Sequence, residues 1–281
     1  MVCTEKRKNM RIQSKNFNIQ QIADSGQCFR LNRQEENRYN LVACGKYLEL
    51  LQVSEEEIEL SCSEREYEEI WKGYFDMDYD YQHLVAALMN GEDTFLRSAA
   101  EYGRGIRILR QDFFEILISF IISQNKNIPS IKSTVEAISR RYGTIIASGG
   151  SKGQHYYAFP SPQQLAMATR EELRELKVGY RDEYILRAAR AAAEGELDLG
   201  NMGSYGYREA FQRLTALHGI GEKVANCICL YGLHHIEVFP VDVWIKRILK
   251  EVYQDRFDPG QYEGYAGIVQ QYMFFYMRNK K

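Results

Sequence analysis

Near residue 64 the hydrophobic pattern of this 281-residue chain changes period, and few architectures accommodate such a switch. Before it, from about Phe17 to Ser63, apolar and polar residues alternate in short, turn-bounded runs: 29–31 (FRL), 38–44 (RYNLVAC), 46–53 (KYLELLQV) and 58–63 (IELSCS). Runs of period two bury one face of a strand, so these read as an antiparallel meander. After it, apolar residues recur at helical spacing. Strands first and helices afterwards specify an α+β chain rather than alternating βα units. The expected architecture is a small N-terminal antiparallel β-sheet domain followed by two packed α-helical domains. The β part spans 1–95, one helical part is built from 96–112 and 235–281, and the other is 113–234.

The helices carry their own punctuation. The segment 112–115 (DFFE) reads as a capping box opening a helix through Ser123, apolar on nearly every side and therefore buried. Asn127 is placed as the N-cap of a helix with Pro129 in its first turn, which runs to Tyr142 and stops at Gly143. A glycine-rich loop at 149–153 follows. Thr169 and Glu172 form a second capping box, with Gly179 as the stop of that helix. Further helices are expected over 181–194, 207–217, 222–231, 243–253 and 261–277.

Composition enters where it excludes. The longest apolar stretch, 113–122, is far short of the roughly 20 residues that a membrane-spanning helix needs. The polar start, residues 1–16, has no apolar core and is no secretory signal. Six cysteines in no pattern then read as reduced thiols in a cytoplasm. A net charge of −2 argues at first against nucleic acid, but residues 55–80 hold eleven acids against Arg65 and Lys72, which leaves +7 on the rest. Local field, not the average, decides phosphate binding, so a basic face remains open.

The most informative stretch is 217–230 (LHGIGEKVANCICL). Two glycines one residue apart between two helices make a tight hairpin. The amides opening the second helix then point outward as a seat for a phosphate. Alone, Gly-x-Gly is equally a plain helix–helix turn. Its company is L-x-G-I-G-x-K-V-A, with Pro240-Val241-Asp242 sixteen or so residues on.

With those residues in view, the chain resembles the helix–hairpin–helix superfamily of DNA base-excision glycosylases, and within it the 8-oxoguanine DNA glycosylases. Segments 25–30 (SGQCFR), 109–128, 158–166, 178–184 (VGYRDEY), 224–230, 238–245 (VFPVDVWI) and 265–274 look like family segments in family order. The resemblance implies a repair enzyme that flips 8-oxoguanine out of duplex DNA, excises it through a lysine Schiff base and then cleaves the strand as a lyase. An amine nucleophile at C1′ suits that chemistry, and a carboxylate beside it stabilises the cationic sugar. Those roles fall on Lys223 and Asp242. Lys223 is expected near the positive helix end and desolvated, both of which favour the neutral amine. Asp242 is expected as an N-cap with one carboxylate edge free.

The base pocket implied by the resemblance comprises Gly26, Gln27, Phe29, Cys227, Pro240, Gln270 and Phe274. The Gly26 carbonyl accepts from N7–H of the lesion, which normal guanine lacks; Asp24-Ser25-Gly26 also reads as a hairpin turn. Cys227 and Phe274 sandwich the base, and Gln270 bonds its Watson–Crick edge. On the DNA side, Asn125 fills the gap, Tyr180 wedges the step and Arg181 holds the orphaned cytosine, since a flipped base leaves a hole and a partner to manage. Asn125 is equally a helix cap and Tyr180 a buried tyrosine. Gly219, Gly221, Val224 and Trp244 complete the DNA contacts.

The resemblance breaks at two positions. Animal members carry an arginine five residues after the gap-filling asparagine, where this chain has Ser130, and a phosphate-binding histidine two residues after the carboxylate, where it has Trp244. Relaxed selectivity for the opposite base follows from the first, and a backbone contact made differently, or by a neighbour such as Lys246, from the second. Cys227 and Cys229 point to nearly opposite helix faces, and no four-cysteine loop for an iron–sulfur cluster is present, so neither metal nor cofactor is expected. The competing readings are a monofunctional alkyl-base glycosylase, which lacks the lysine, and a non-catalytic helix–hairpin–helix DNA-binding protein, which needs no Asp242. The expected partner is double-stranded DNA containing 8-oxoguanine, met by a monomer in a bacterial cytoplasm, nucleoid-associated through DNA binding, with no membrane involved.

Overall fold

The computed structural model describes residues 9–149 and 154–280, with the side chains of 148 and 149 left aside. Residues 1–8, Cys3 among them, and most of the glycine-rich loop therefore lie outside the described residues. The chain falls into two compact units. The first comprises 1–41, 48–110 and 239–281, and the second 42–47 and 111–238.

Five strands form the N-terminal sheet: β1 (Met10–Gln13), β2 (Leu31–Glu35), β3 (Arg38–Ala43), β4 (Lys46–Gln52) and β5 (Glu57–Leu60). Their order, β1-β5-β4-β3-β2, is the expected meander with one added strand at its edge. Alternation fixes the inward set: Ile12 lies opposite Ile58 and Leu50 opposite Leu60, all buried. Two elements differ from expectation. Strand β1 lies before the region read as strands, and 19–24 is not extended but helix α1 (Ile19–Asp24), capped by Asn18. The Asp24-Ser25-Gly26 segment is thus a helix stop with Gly26 at φ 82°, not a hairpin turn.

The remainder of unit 1 is helical. Short α2 (Glu64–Glu66) and α3 (Lys72–Tyr74) flank a π-turn at 67–71, whose Trp71 is fully buried. Helices α4 (Tyr81–Met89) and α5 (Thr94–Tyr102) follow. Arg107 is buried, donating to the Asn16, Asp76 and Lys15 carbonyls and to Ser14 Oγ, with the Tyr81 ring centroid 4.7 Å from its guanidinium.

Unit 2 contains α6 (Phe113–Ser123), which buries eight of its eleven residues, as an all-round apolar helix must. Next come α7 (Ile128–Tyr142), capped by Asn127, and a two-stranded hairpin of β6 (Ile145–Gly149) and β7 (Gln154–Tyr157) where sequence reading placed only a loop. Helix α8 (Pro162–Ala166) and helix α9 (Arg170–Glu175) each open on a complete capping box, and α9 ends at Glu175, before Gly179. Helices α10 (Asp182–Ala193), α11 (Tyr207–Thr215) and α12 (Glu222–Gly232) complete the unit, with α12 packed on α6 and α11.

In unit 1 the chain closes with α13 (Val243–Glu251) and α14 (Ala266–Asn279), which pack on each other, and α14 also packs on α5. Among the described residues no helix is long and apolar enough to cross a membrane.

Candidate functional site

The residues singled out by sequence divide between the units. In unit 2 the hairpin joins α11 to α12 at Gly219-Ile220-Gly221. Gly219 takes φ 86°, and a Cβ there would fall 2.3 Å from the Tyr184 ring, so glycine is demanded by the chain itself. Gly221 differs. It N-caps α12 with extended backbone, and a Cβ there would meet nothing within 4 Å. No side chain caps α12, so its first amide donors stay available to an outside acceptor.

Lys223 stands in that first turn, exposed, with Nζ 5.7 Å from the Phe120 ring centroid. The expected desolvation is absent: the second residue of a helix opening on the surface projects into water. Val224 is buried behind it. Cys227, one turn on, is 5 % exposed, and Cys229 is fully buried, its thiol pushed up to about 12 by burial and by the charges of Glu237 and Cys227. No group of three metal-ligating side chains occurs among the described residues.

The other DNA-side candidates lie on two turns beside this hairpin. Asn125 is exposed, adopts φ 50°, and donates from Nδ2 to Tyr180 Oη at 3.1 Å. It caps no helix, since Asn127 performs that task. Tyr180 is 52 % exposed, which removes the buried-tyrosine reading. Three side chains that sequence reading passed over tie these turns together. Gln124 donates to the Gly219 carbonyl at 3.1 Å, Lys126 to the Lys177 carbonyl at 2.6 Å, and Tyr184 packs edge-on against both Tyr180 and His218. Burial and the charge of Arg181 pull Lys126 below the usual lysine range.

Arg181 lies against Tyr180. Its side chain is buried, Nη1 donates to the Val178 carbonyl at 2.9 Å and Nη2 to the Gln124 carbonyl, and the guanidinium lies over the Tyr180 ring. In this arrangement Arg181 braces the Tyr180 ring.

Unit 1 holds the rest. Asp242 N-caps α13, with Oδ1 accepting from Trp244 N (3.0 Å) and Ile245 N (2.9 Å). Both bonds fall on one oxygen, which leaves Oδ2 without a hydrogen bond among the described residues. Trp244 is half-buried and Pro240 buried. Phe29 and Gln270 are 4 % exposed, and Phe274 is half-buried on α14.

Gln27 is fully buried, and its amide is engaged with the chain. Nε2 donates to Ser25 Oγ (3.0 Å) and the Arg107 carbonyl (2.8 Å), while Oε1 accepts from Leu109 N (2.8 Å). It anchors the loop beneath Gly26. Arg278, also passed over, stacks 5.2 Å from the Phe274 centroid; burial lowers its pKa, against the charges of Asp24 and Asp242. Its place one helical turn after Phe274 was the available signal.

Comparison with known proteins gives the family. Residues 9–117 match the family model described as "8-oxoguanine DNA glycosylase, N-terminal domain", and residues 118–263 match "HhH-GPD superfamily base excision DNA repair protein". The N-glycosylase/DNA lyase of Saccharomyces cerevisiae is 35% identical over 192 residues, 64% of this chain and 50% of that protein, so the match spans half of the yeast relative. A probable N-glycosylase/DNA lyase of Methanothermobacter thermautotrophicus is 32% identical over 233 residues, covering 73% of this chain and 72% of the relative. Among solved structures, that of Clostridium acetobutylicum 8-oxoguanine glycosylase/lyase with double-stranded DNA containing cytosine opposite 8-oxoG superposes with a TM-score of 0.87 at 33% identity, over 98% of this chain and 99% of that one.

Proposed function

This chain belongs to the 8-oxoguanine DNA glycosylase family of the HhH-GPD base excision repair superfamily, and from that membership we infer that it is a bifunctional N-glycosylase/DNA lyase acting on 8-oxoguanine in duplex DNA. The observation that carries the reading is the exposed Lys223 amine on the uncapped first turn of α12, immediately after a hairpin whose Gly221 has open space around it. A glycine that its own chain does not require is one kept bare for an outside surface. Backbone amides at a helix start suit a phosphate, and an amine beside them suits the adjoining sugar.

The neutral amine of Lys223 attacks C1′ and forms the C–N bond as the glycosidic bond breaks, its electron pair leaving with the base. Ring opening gives a Schiff base, and loss of a C2′ proton expels the 3′ phosphate by β-elimination. DNA covering the exposed lysine supplies the desolvation that the free chain lacks and favours the unprotonated amine. Asp242 offers Oδ2 to the positive charge that grows on the sugar while Oδ1 keeps the helix cap. The Gly26 carbonyl accepts from the N7–H of the lesion; Cys227, Phe274 and Gln270 take the faces and edge of the base, with Phe29 and Pro240 beside them. Asn125 and Tyr180 occupy the gap in the duplex, while Gly219, Gly221, Val224 and Trp244 meet its backbone.

The division into a β part at 1–95, a helical part at 96–112 with 235–281, and a helical part at 113–234 belongs to the same proposal. So does a monomer working on bacterial chromosomal DNA in the cytoplasm without a cofactor. The test is borohydride trapping of the wild-type protein on a duplex with one 8-oxoguanine. A covalent adduct and a nicked strand are expected on that duplex and not on its undamaged counterpart. Base release without an adduct would make the protein a monofunctional glycosylase, and neither product would leave a DNA-binding protein.

A further inference from the structure

The stop of α1 shows how the specificity carbonyl is exposed. A helix end leaves orphan carbonyls that need donors. Here two of them are met by side chains from the far end of the chain. Gln271 Nε2 donates to the Ser25 carbonyl at 2.9 Å, and Arg278 Nη2 donates to the Asp24 carbonyl. The next carbonyl, that of Gly26, receives no donor among the described residues. Ser25 Oγ closes back on the Ile22 carbonyl at 2.7 Å, and Gln27 is bolted to the backbone at 107–109. The loop is held on both sides of Gly26.

Residues 271, 274 and 278 are spaced i, i+3, i+7, one stripe of α14. That stripe carries Phe274 between the two donors, with the Arg278 guanidinium against the Phe274 ring. We propose that Gln271 and Arg278 are positioning residues for lesion discrimination: they lock the Asp24–Ser25 backbone so that the Gly26 carbonyl is presented in one orientation, and Arg278 fixes Phe274 to the same frame. A carbonyl that must tell an N7–H from a bare N7 works only if it cannot turn away. Glycine at φ 82° by itself leaves that freedom open. The inference rests on the 8-oxoguanine reading above.

The experiment measures equilibrium affinity for three duplexes, carrying 8-oxoguanine, guanine or a tetrahydrofuran abasic analogue at one position. It uses the full chain with Lys223→Gln so that no base is lost. Against that background, Gln271→Leu and Arg278→Met are each expected to shrink the 8-oxoguanine-over-guanine preference about tenfold, the scale of one well-placed hydrogen bond. Affinity for the abasic analogue, which presents no base, is expected to stay within about twofold. Arg278→Lys keeps a cationic donor and restores most of the preference. Equal losses on all three duplexes, or a preference untouched in both variants, would overturn the proposal. A parent protein with no preference at all would instead overturn the 8-oxoguanine reading on which it stands.

Discussion

At the residue scale, two side chains carry separable roles. Lys223 is exposed, with its amine 5.7 Å from the Phe120 ring centroid, so its removal is expected to leave the fold and the hairpin surface in place. Lys223→Gln is therefore expected to abolish the borohydride-stable adduct while duplex affinity changes by less than about threefold, a surface-contact effect. An adduct that survives identifies another amine as the nucleophile. Asp242 is a cap and a charge at once, and asparagine replaces it as a cap almost without loss. Asp242→Asn should thus preserve α13, whose first amides bond to Oδ1, and remove only the charge. Charge matters most when the sugar becomes cationic, so single-turnover base release should slow by about a hundredfold or more while affinity barely moves. Equal falls in rate and affinity would reduce Asp242 to its capping role.

At the element scale the hairpin glycines are expected to part company. Gly219→Ala drives a methyl into the Tyr184 ring at a backbone angle that alanine dislikes, so thermal stability should drop by about 1–3 kcal/mol, with DNA binding falling alongside it. Gly221→Ala meets only open space and should melt with the wild type, yet bind duplex DNA more weakly. Thermal melts with parallel binding isotherms decide this, and unchanged binding by Gly221→Ala would remove the hairpin from the interface. The turns carrying Asn125 and Tyr180 support a second expectation. Ser130 cannot offer the two parallel donors of an arginine, and the Arg181 donors are held by the Val178 and Gln124 carbonyls. What remains is Tyr180, whose stacking tolerates any base, and a single amide on Asn125. Excision opposite adenine, guanine or thymine should then be only modestly slower than opposite cytosine in single-turnover assays on four matched duplexes. A cytosine preference beyond about a hundredfold, more than one bidentate contact supplies, would show that another group reads the partner base.

At the scale of the whole molecule, charge is segregated. The acids of 55–80 are partly engaged with the protein itself: Glu57 and Glu59 pair with Arg11, Glu68 and Asp78 with Lys72, and buried Asp76 with Arg110. Pairs of this kind quiet the acidic segment and leave the excess positive charge of the remaining sequence to act elsewhere. If that charge meets phosphates, affinity for undamaged duplex DNA should fall steeply with salt, by at least about tenfold between 50 and 200 mM, as counterion release requires. A chain with its −2 spread evenly would bind no more weakly as salt rises, so a flat titration would contradict the segregated field.

What the residues determined alone was local. The caps at Asn127 and Thr169 each act within three positions, and the Gly219–Gly221 hairpin within five, so their spacing is readable without a fold. The switch from period two to helical spacing likewise marked where the sheet ends. The glycine at 219 was legible as a turn, but not that Tyr184 makes it obligatory. The edge pairing of β1 with β5 joins residues nearly fifty apart, and no period announces it. Packing placed the Arg181 guanidinium against the Val178 and Gln124 carbonyls, contacts that no sequence spacing announces. Distance hid Gln271 and Arg278 most completely: their bonds to the end of α1 span 246 and 254 residues. Local patterns write helices, strands and turns into the sequence, whereas the partners of an orphan carbonyl are chosen only when distant segments pack, and that choice belongs to the tertiary structure.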